Sequence, residues 1–398
     1  MKKLFVYGLG IIVISFLGYS FFHTSEIKYV VSNTENILAS STTTPSTQNK
    51  FHILIVPGHE PDYGGTDFKS PYGKVYERDF TVELGQDLKQ YLDSDVKYQV
   101  DITRDITAWT PAFADYFKNN WDAISAWVTV AKKSPTGSVI STGVAPEIHN
   151  NTPKDVALRL YGITKWSNDN AVNLMVHIHF NNYPNNPPLV AGKYSGFVMY
   201  IPSAQYANSS STLPIAQAVY KRLALYNPKS NLKVESAGII ADPELIAVGS
   251  DNTSNAASML IEYEYIYEPQ LVNPATRSLA MKDLAYQTYL GLKDYFDQNQ
   301  NISTENGYNP STLYTWNSGT NKNSTSTDIY ALQTALIMDG DYPPAGKTKN
   351  DCPHSGSFGA CTVSALSAFQ KKNNIVGENG IVGQKSFDIL GAIYNGNK

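Results

Sequence analysis

The sequence predicts an α/β fold, an open twisted sheet of about six strands with helices on both faces, followed by a small helical tail. Three observations predict it. Short apolar runs alternate with stretches whose apolar residues recur at helical spacing, the pattern of strands joined by helices that cover a sheet. The chain has 398 residues, 42% apolar and only 17% charged, which suits two or three domains and excludes a coiled coil or a disordered acidic chain. Two stretches rich in Ser, Thr and Asn, Ser32 to Lys50 and Gln298 to Thr327, read as a stalk and a linker that divide the chain.

The elements follow in order. Lys2 and Lys3 precede 19 uncharged residues, Leu4 to Phe22, close to the ~20 that cross a bilayer as a helix. The lysines should stay cytoplasmic, so the body is exported. Residues 1–25 are therefore expected to be a membrane anchor, with a cleaved signal peptide as the alternative. The nearest small-residue cleavage site, Leu38-Ala39-Ser40, lies far downstream. After a stalk over 26–50, the large domain spans 51–297. Its expected strands are Phe51–Val56, Val100–Thr103, Val172–His179, Gly196–Ile201, Val234–Ile240 and Ser258–Tyr263. Phe80, Leu84, Leu88 and Leu92 mark one helix, and Leu213, Ala216, Val219 and Leu223 another. Residues 298–327 form the linker, and 328–398 the tail.

Composition narrows the chemistry. A net charge of −4 without any basic run argues against a nucleic-acid partner. Two cysteines exclude a disulfide-rich scaffold and a four-cysteine zinc module. The 27 tyrosines fit either sugar stacking or ordinary sheet and surface positions, and composition favours the latter.

Functional groups of such a sheet gather at strand ends and the loops beyond them. Of seven histidines, two stand there. His59 follows the first strand through a Pro57-Gly58 turn, and His179 ends the apolar run from Asn173. Glu77 opens a helix, where the macrodipole favours a carboxylate. Two imidazoles and a carboxylate make a zinc site that leaves a fourth position to water. Each residue alone also reads as a satisfied strand-end histidine or a helix-start charge.

The order of motifs adds weight. Ile55-Val56-Pro57-Gly58-His59, Gly64-Gly65-Thr66-Asp67, Tyr76-Glu77-Arg78-Asp79, Thr103-Arg104, His177-Ile178-His179-Phe180-Asn181 and Leu260-Ile261-Glu262 occur in sequence across 51–297. This series resembles the zinc-dependent N-acetylmuramoyl-L-alanine amidases of the cell wall. The resemblance implies zinc on His59, Glu77 and His179, and Glu262 as the catalytic carboxylate. His177, Asn181, Glu264 and Arg104 are expected as supporting residues around that centre, with an extra ligand or a proton relay as the alternatives for His177. Val56 replaces the usual Asp, His177 the usual Ser, and Tyr263-Glu264 the usual residues after the glutamate. Side chains alternate along a strand, so His177 should share a sheet face with His179, and Glu264 with Glu262. An insertion of about 50 residues, 106–155, carries Trp109, Trp121 and Trp127, with Pro111 to Lys133 partly helical. It reads as decoration with its own aromatic mini-core, or as a lid or docking surface for a regulatory protein. Its Glu147 and His149 are further candidates to reach the metal.

The tail shows an apolar stripe at Ile329, Leu332, Leu336 and Ile337, which alone says only helical bundle. Gly356-Ser357-Phe358-Gly359, Ala365-Leu366-Ser367-Ala368-Phe369-Gln370 and Asn379-Gly380-Ile381-Val382-Gly383 make it resemble the three-helix peptidoglycan-binding domain. Cys352 and Cys361, close together on an exported chain, suit a disulfide, with a zinc site including His354 as the alternative. The expectation is a wall hydrolase that cleaves the amide between N-acetylmuramic acid and L-alanine in peptidoglycan, using zinc-activated water. The rivals are a zinc peptidase acting on the cross-links and a non-catalytic wall-binding regulator. The tail is expected to act as a tether that contributes nothing to cleavage itself.

Overall fold

The computed structural model describes residues 50–133, 152–182, 186–297, 313–317 and 325–396. The expected anchor, nearly all of the stalk, Glu147 and His149 lie outside these residues. Among the described residues no helix is long and apolar enough to cross a membrane.

The chain runs β1 (Phe51–Pro57), β2 (Asp67–Ser70), β3 (Gly73–Tyr76), α1 (Glu77–Asp93), β4 (Tyr98–Ile102), α2 (Pro111–Lys133), α3 (Lys154–Asp169) and β5 (Leu174–Asn181). It continues with β6 (Val198–Pro202), α4 (Ser209–Tyr226), β7 (Ile239–Asp242), β8 (Ala257–Tyr265), α5 (Pro269–Val272) and α6 (Pro274–Phe296). The tail holds α7 (Thr327–Met338), α8 (Ala360–Lys372) and α9 (Gln384–Tyr394).

The six-stranded sheet has the order β4-β1-β5-β8-β6-β7. Strands β4, β1, β5 and β8 run parallel, and β6 lies antiparallel to β8. Its core is split by the period-two alternation of β1. Ile53 and Ile55 join Phe80, Leu84, Val219 and Leu284 under α1, α4 and α6. Leu54 and Val56 meet Phe113, Phe117 and Trp166 of α2 and α3 on the other face. Helices therefore cover both faces, as expected.

Three local expectations differ. The fifth strand starts at Ile239 and not at Val234, because Lys233–Glu235 winds into a 3₁₀ turn first. The β2–β3 hairpin was unforeseen, since four-residue strands are too short to show a period. The tryptophans of the insertion form no separate mini-core. Trp109, Trp121 and Trp127 pack with α2 and α3 against the sheet residues Leu54, Val56 and Met175.

The tail is a three-helix unit around Leu332, Leu336, Phe369 and Leu390. Trp316, from the stretch read as linker, is buried in that core. Cys352 and Cys361 form a disulfide with their Cα atoms 5.7 Å apart. His354 is no metal ligand: it is buried, stacks on Tyr330 with centroids 3.7 Å apart, and its Nε2 lies 2.9 Å from the Tyr330 carbonyl.

Nor is the tail a free tether. Tyr330 of α7 belongs to the core of the large domain, and its hydroxyl donates to Asp283 of α6 at 3.1 Å. Lys349 donates to the Ala224 carbonyl, and Asn350 to the Ser195 hydroxyl at 2.8 Å.

Candidate active site

Strand β1 delivers His59 just past its end, where the backbone turns into the left-handed region at φ 65°. Gly58 makes the turn possible, because a Cβ there would sit 2.4 Å from the His179 ring. Strand β5 delivers His179 from the neighbouring position, and the Gly58 amide donates to the Ile178 carbonyl at 2.9 Å. Glu77 is the first residue of α1 and is buried.

The three side chains converge. Glu77 Oε1 lies 2.8 Å from His59 Nε2 and 3.0 Å from His179 Nδ1. The Thr66 amide donates to Oε2 at 2.9 Å, and the Phe180 amide to Oε1 at 3.2 Å. Burial pushes the Glu77 pKa up, yet the two imidazoles outweigh it and hold the carboxyl well below the usual range. Burial, with His59 beside it, lowers the pKa of His179 and so favours the neutral ring that a metal requires.

The three ligand atoms lie within 4.8 Å of one another, the one such group of three among the described residues. His59 Nε2 is buried and turned toward Glu77 Oε1, so the two imidazoles and the carboxylate face one common point. Two nitrogens and one oxygen fit zinc and disfavour magnesium, which takes all-oxygen shells.

Arg104 acts on the backbone around the site. Fully buried, it donates to the carbonyls of Gly58, His59 (2.8 Å) and Arg78 (2.9 Å) and to the Thr81 hydroxyl at 3.1 Å. It ties the His59 turn to the start of α1. Burial lowers its pKa to about 10, which leaves it charged at neutral pH.

The remaining expectations divide. His177 does share the face of His179; it is buried, and burial with His179 nearby pushes its pKa down to about 3. Glu262 is the cross-strand partner of His179, half-buried at the wall of a cavity of about 350 Å³ that His59 and His179 also line. Glu264 does not share that face. The β5–β8 register pairs His179 with Glu262 but Asn181 with Tyr265, so β8 carries one extra residue. This bulge reverses the alternation. Glu264 is instead buried, accepts from Gln270 at 2.6 Å and has the carboxyl groups of Glu268 and Asp283 nearby. Asn181 is also displaced from the centre, donating to the buried Glu235 at 2.9 Å.

Sequence reasoning missed Glu60 and Arg159, which pair beside His59 at the cavity rim. Glu60 follows His59 directly, but nothing in the pattern of α3 marked Arg159 as its partner. Trp109 stood out only as an aromatic of the insertion, and it lines the cavity.

The chain is similar to solved N-acetylmuramoyl-L-alanine amidases. That of Clostridium difficile 630 is 17% identical, with 63% of this chain and 98% of that one covered at a TM-score of 0.37. Ami1 from Mycobacterium smegmatis is 14% identical, with 62% and 97% covered at 0.40. AmiC2 of Nostoc punctiforme is 16% identical, with 63% and 99% covered at 0.39. No curated protein sequence gives a significant match. The profile of the N-acetylmuramoyl-L-alanine amidase family matches residues 53–294, nearly all of the sheet and most of its helices. The chain therefore belongs to the N-acetylmuramoyl-L-alanine amidases, hydrolases of the amide that joins the stem peptide to the glycan of peptidoglycan.

Proposed function

We propose that this amidase is zinc-dependent, with His59, Glu77 and His179 holding the metal and Glu262 moving the proton. The observation that carries this reading is the convergence of two imidazoles and one buried carboxylate at a cavity whose wall includes Glu262. An amide resists water because its carbonyl is resonance-stabilised and its nitrogen leaves poorly. Zinc bound there would supply Lewis acidity, polarising the carbonyl and lowering the pKa of the attacking water to about 7. Glu262, beside His179 on the adjacent strand, would take that water's proton and deliver it to the leaving nitrogen. Arg104 fixes the backbone from which His59 projects.

The same proposal covers the rest of the chain. The N-terminal segment holds the enzyme at the outer face of the membrane, or is cleaved to release it. The tail binds peptidoglycan, with Gln370 fixing the Gly380–Ser386 loop through bonds of 2.7 Å each to Gly380 N and Ile381 O. The 106–155 insertion offers a regulatory protein the outer face of α2, where Val130 is 70% exposed.

Elemental analysis of the full chain should find one zinc, lost in His59→Ala. Glu262→Gln should keep the zinc and lose on the order of 10²–10⁴ in turnover. Glu264→Gln, on the far side of the bulge, should be much milder. Zinc loss in Glu262→Gln would recast that residue as a ligand. Mass spectrometry of digested peptidoglycan should find stem peptides with free amino-terminal L-alanine, and cuts within the stem would refute the reaction.

A further inference from the structure

The cavity is larger than the amide chemistry needs. Its floor is one row across the sheet: Val56, His177, Leu260 and Tyr200, each a cross-strand neighbour of the next. Trp109 and Leu160 form a wall. A volume of about 350 Å³ falls in the range that small ligands fill, roughly 300–1,000 Å³. The methyl of an alanine or of a lactyl group occupies little of it.

Charge decides which part of the substrate belongs there. Arg159, the one lysine or arginine among the lining residues, is already engaged. Its Nε and Nη2 fork onto Glu60, the latter at 3.0 Å, and Nη2 also donates to Asp155 at 2.8 Å. Two carboxylates already offset this single guanidinium, and no other lysine or arginine lines the cavity to meet a substrate carboxylate. The two sides of the scissile bond differ in kind. A stem peptide carries free carboxylates, and placing them against Val56, Leu160 and Leu260 without a counter-ion is strongly unfavourable. The muramoyl ring, with its lactyl carboxyl tied up in the amide, is neutral and offers C–H faces to an indole. Trp109 is half-buried and braced edge-to-face on Phe117 with centroids 5.1 Å apart, which makes it a fixed platform.

We propose, building on the amidase reading above, that this chamber receives the N-acetylmuramoyl ring stacked on Trp109, while the stem peptide leaves the cleft toward solvent. Trp109 is then a specificity-determining residue, although it lies outside the motifs that identify the metal site.

Calorimetry tests this on the zinc-loaded full chain carrying Glu262→Gln. The two ligands are N-acetylmuramoyl-L-alanyl-D-glutamate and its sugar-free counterpart, lactoyl-L-alanyl-D-glutamate. The sugar-bearing ligand should bind more tightly by on the order of ten-fold, the scale of one well-packed aromatic contact. Adding Trp109→Ala should remove that difference, and Trp109→Phe should keep most of it. Leu160→Trp, which fills the chamber from within and leaves Trp109 in place, should also remove it even if Trp109→Ala folds poorly. Equal binding of the two ligands, or a difference that survives both Trp109→Ala and Leu160→Trp, overturns the proposal. Affinity that grows with stem length but ignores the sugar puts the peptide in the chamber and overturns it as well. Turnover of the unmodified chain reads the reaction separately. Cleavage without sugar preference refutes the chamber alone, whereas sugar binding without cleavage refutes the reaction alone.

Discussion

His59 occupies a backbone region that costs a non-glycine residue about 1–3 kcal/mol, and Arg104 is what holds it there. Arg104→Gln removes the fork and strands the buried carbonyls of Gly58 and Arg78. It should cost on the order of 3 kcal/mol in urea unfolding and weaken zinc binding by more than ten-fold. Arg104→Lys should restore little, because a point charge cannot serve several carbonyls at once. The Thr103-Arg104 pair was legible as a motif, but its role was not. It acts on main-chain oxygens about 45 residues earlier, and no side-chain pattern records that. A second residue-scale effect concerns pH. Burial raises Glu268 from 4.5 to about 8, and also lifts Glu264 well above its ordinary value. Between those limits the folded chain holds more protons than the unfolded one, so stability is greatest below the unfolded pKa and falls as pH rises through the folded one. Urea unfolding should therefore show less stability at about pH 8 than at about pH 5. Glu268→Gln, neutral throughout, should flatten that slope.

Among the elements, the strands were readable because buried parallel strands are near-continuous apolar runs, and β1 and β5 are of that kind. The candidate metal-binding residues were readable because they sit at or near element ends: His59 just past β1, Glu77 at the start of α1 and His179 near the end of β5. Glu264 was misjudged for a different reason: a bulge depends on the partner strand, and alternation along β8 alone carries no trace of it. Helix packing hides its requirements similarly. Helices α4 and α6 approach so closely that a Cβ on Gly291 would lie 2.5 Å from the Val219 Cα. The obstacle is backbone and cannot swing aside. Gly291→Ala should destabilise the fold by about 1–3 kcal/mol by thermal unfolding, with zinc stoichiometry unchanged because no ligand lies on either helix.

For the whole molecule, a helical C-terminal region was legible from its apolar stripe, but its joint to the rest of the chain was not. Polar residues over 298–327 read as slack, whereas Trp316 is buried in the tail and Tyr330 in the large domain. Deleting residues 328–398 would leave Asp283 and its apolar surroundings exposed, so Tm should fall by about 5 °C or more. Binding to wall sacculi in a sedimentation assay should fall too. Turnover of soluble muropeptides at low temperature should persist, since no ligand and no cavity-lining residue comes from the tail. The joint also changes what tethering means. A module on a loose string raises local concentration and lets the cleft search in every direction. The seam at Tyr330, Lys349 and Asn350 makes the two units a single caliper. Were the tail to seat on a glycan strand as proposed, the cleft could address only amides at one offset and one attitude from that seat, and the pattern of cuts along a strand would carry the dimensions of the enzyme itself.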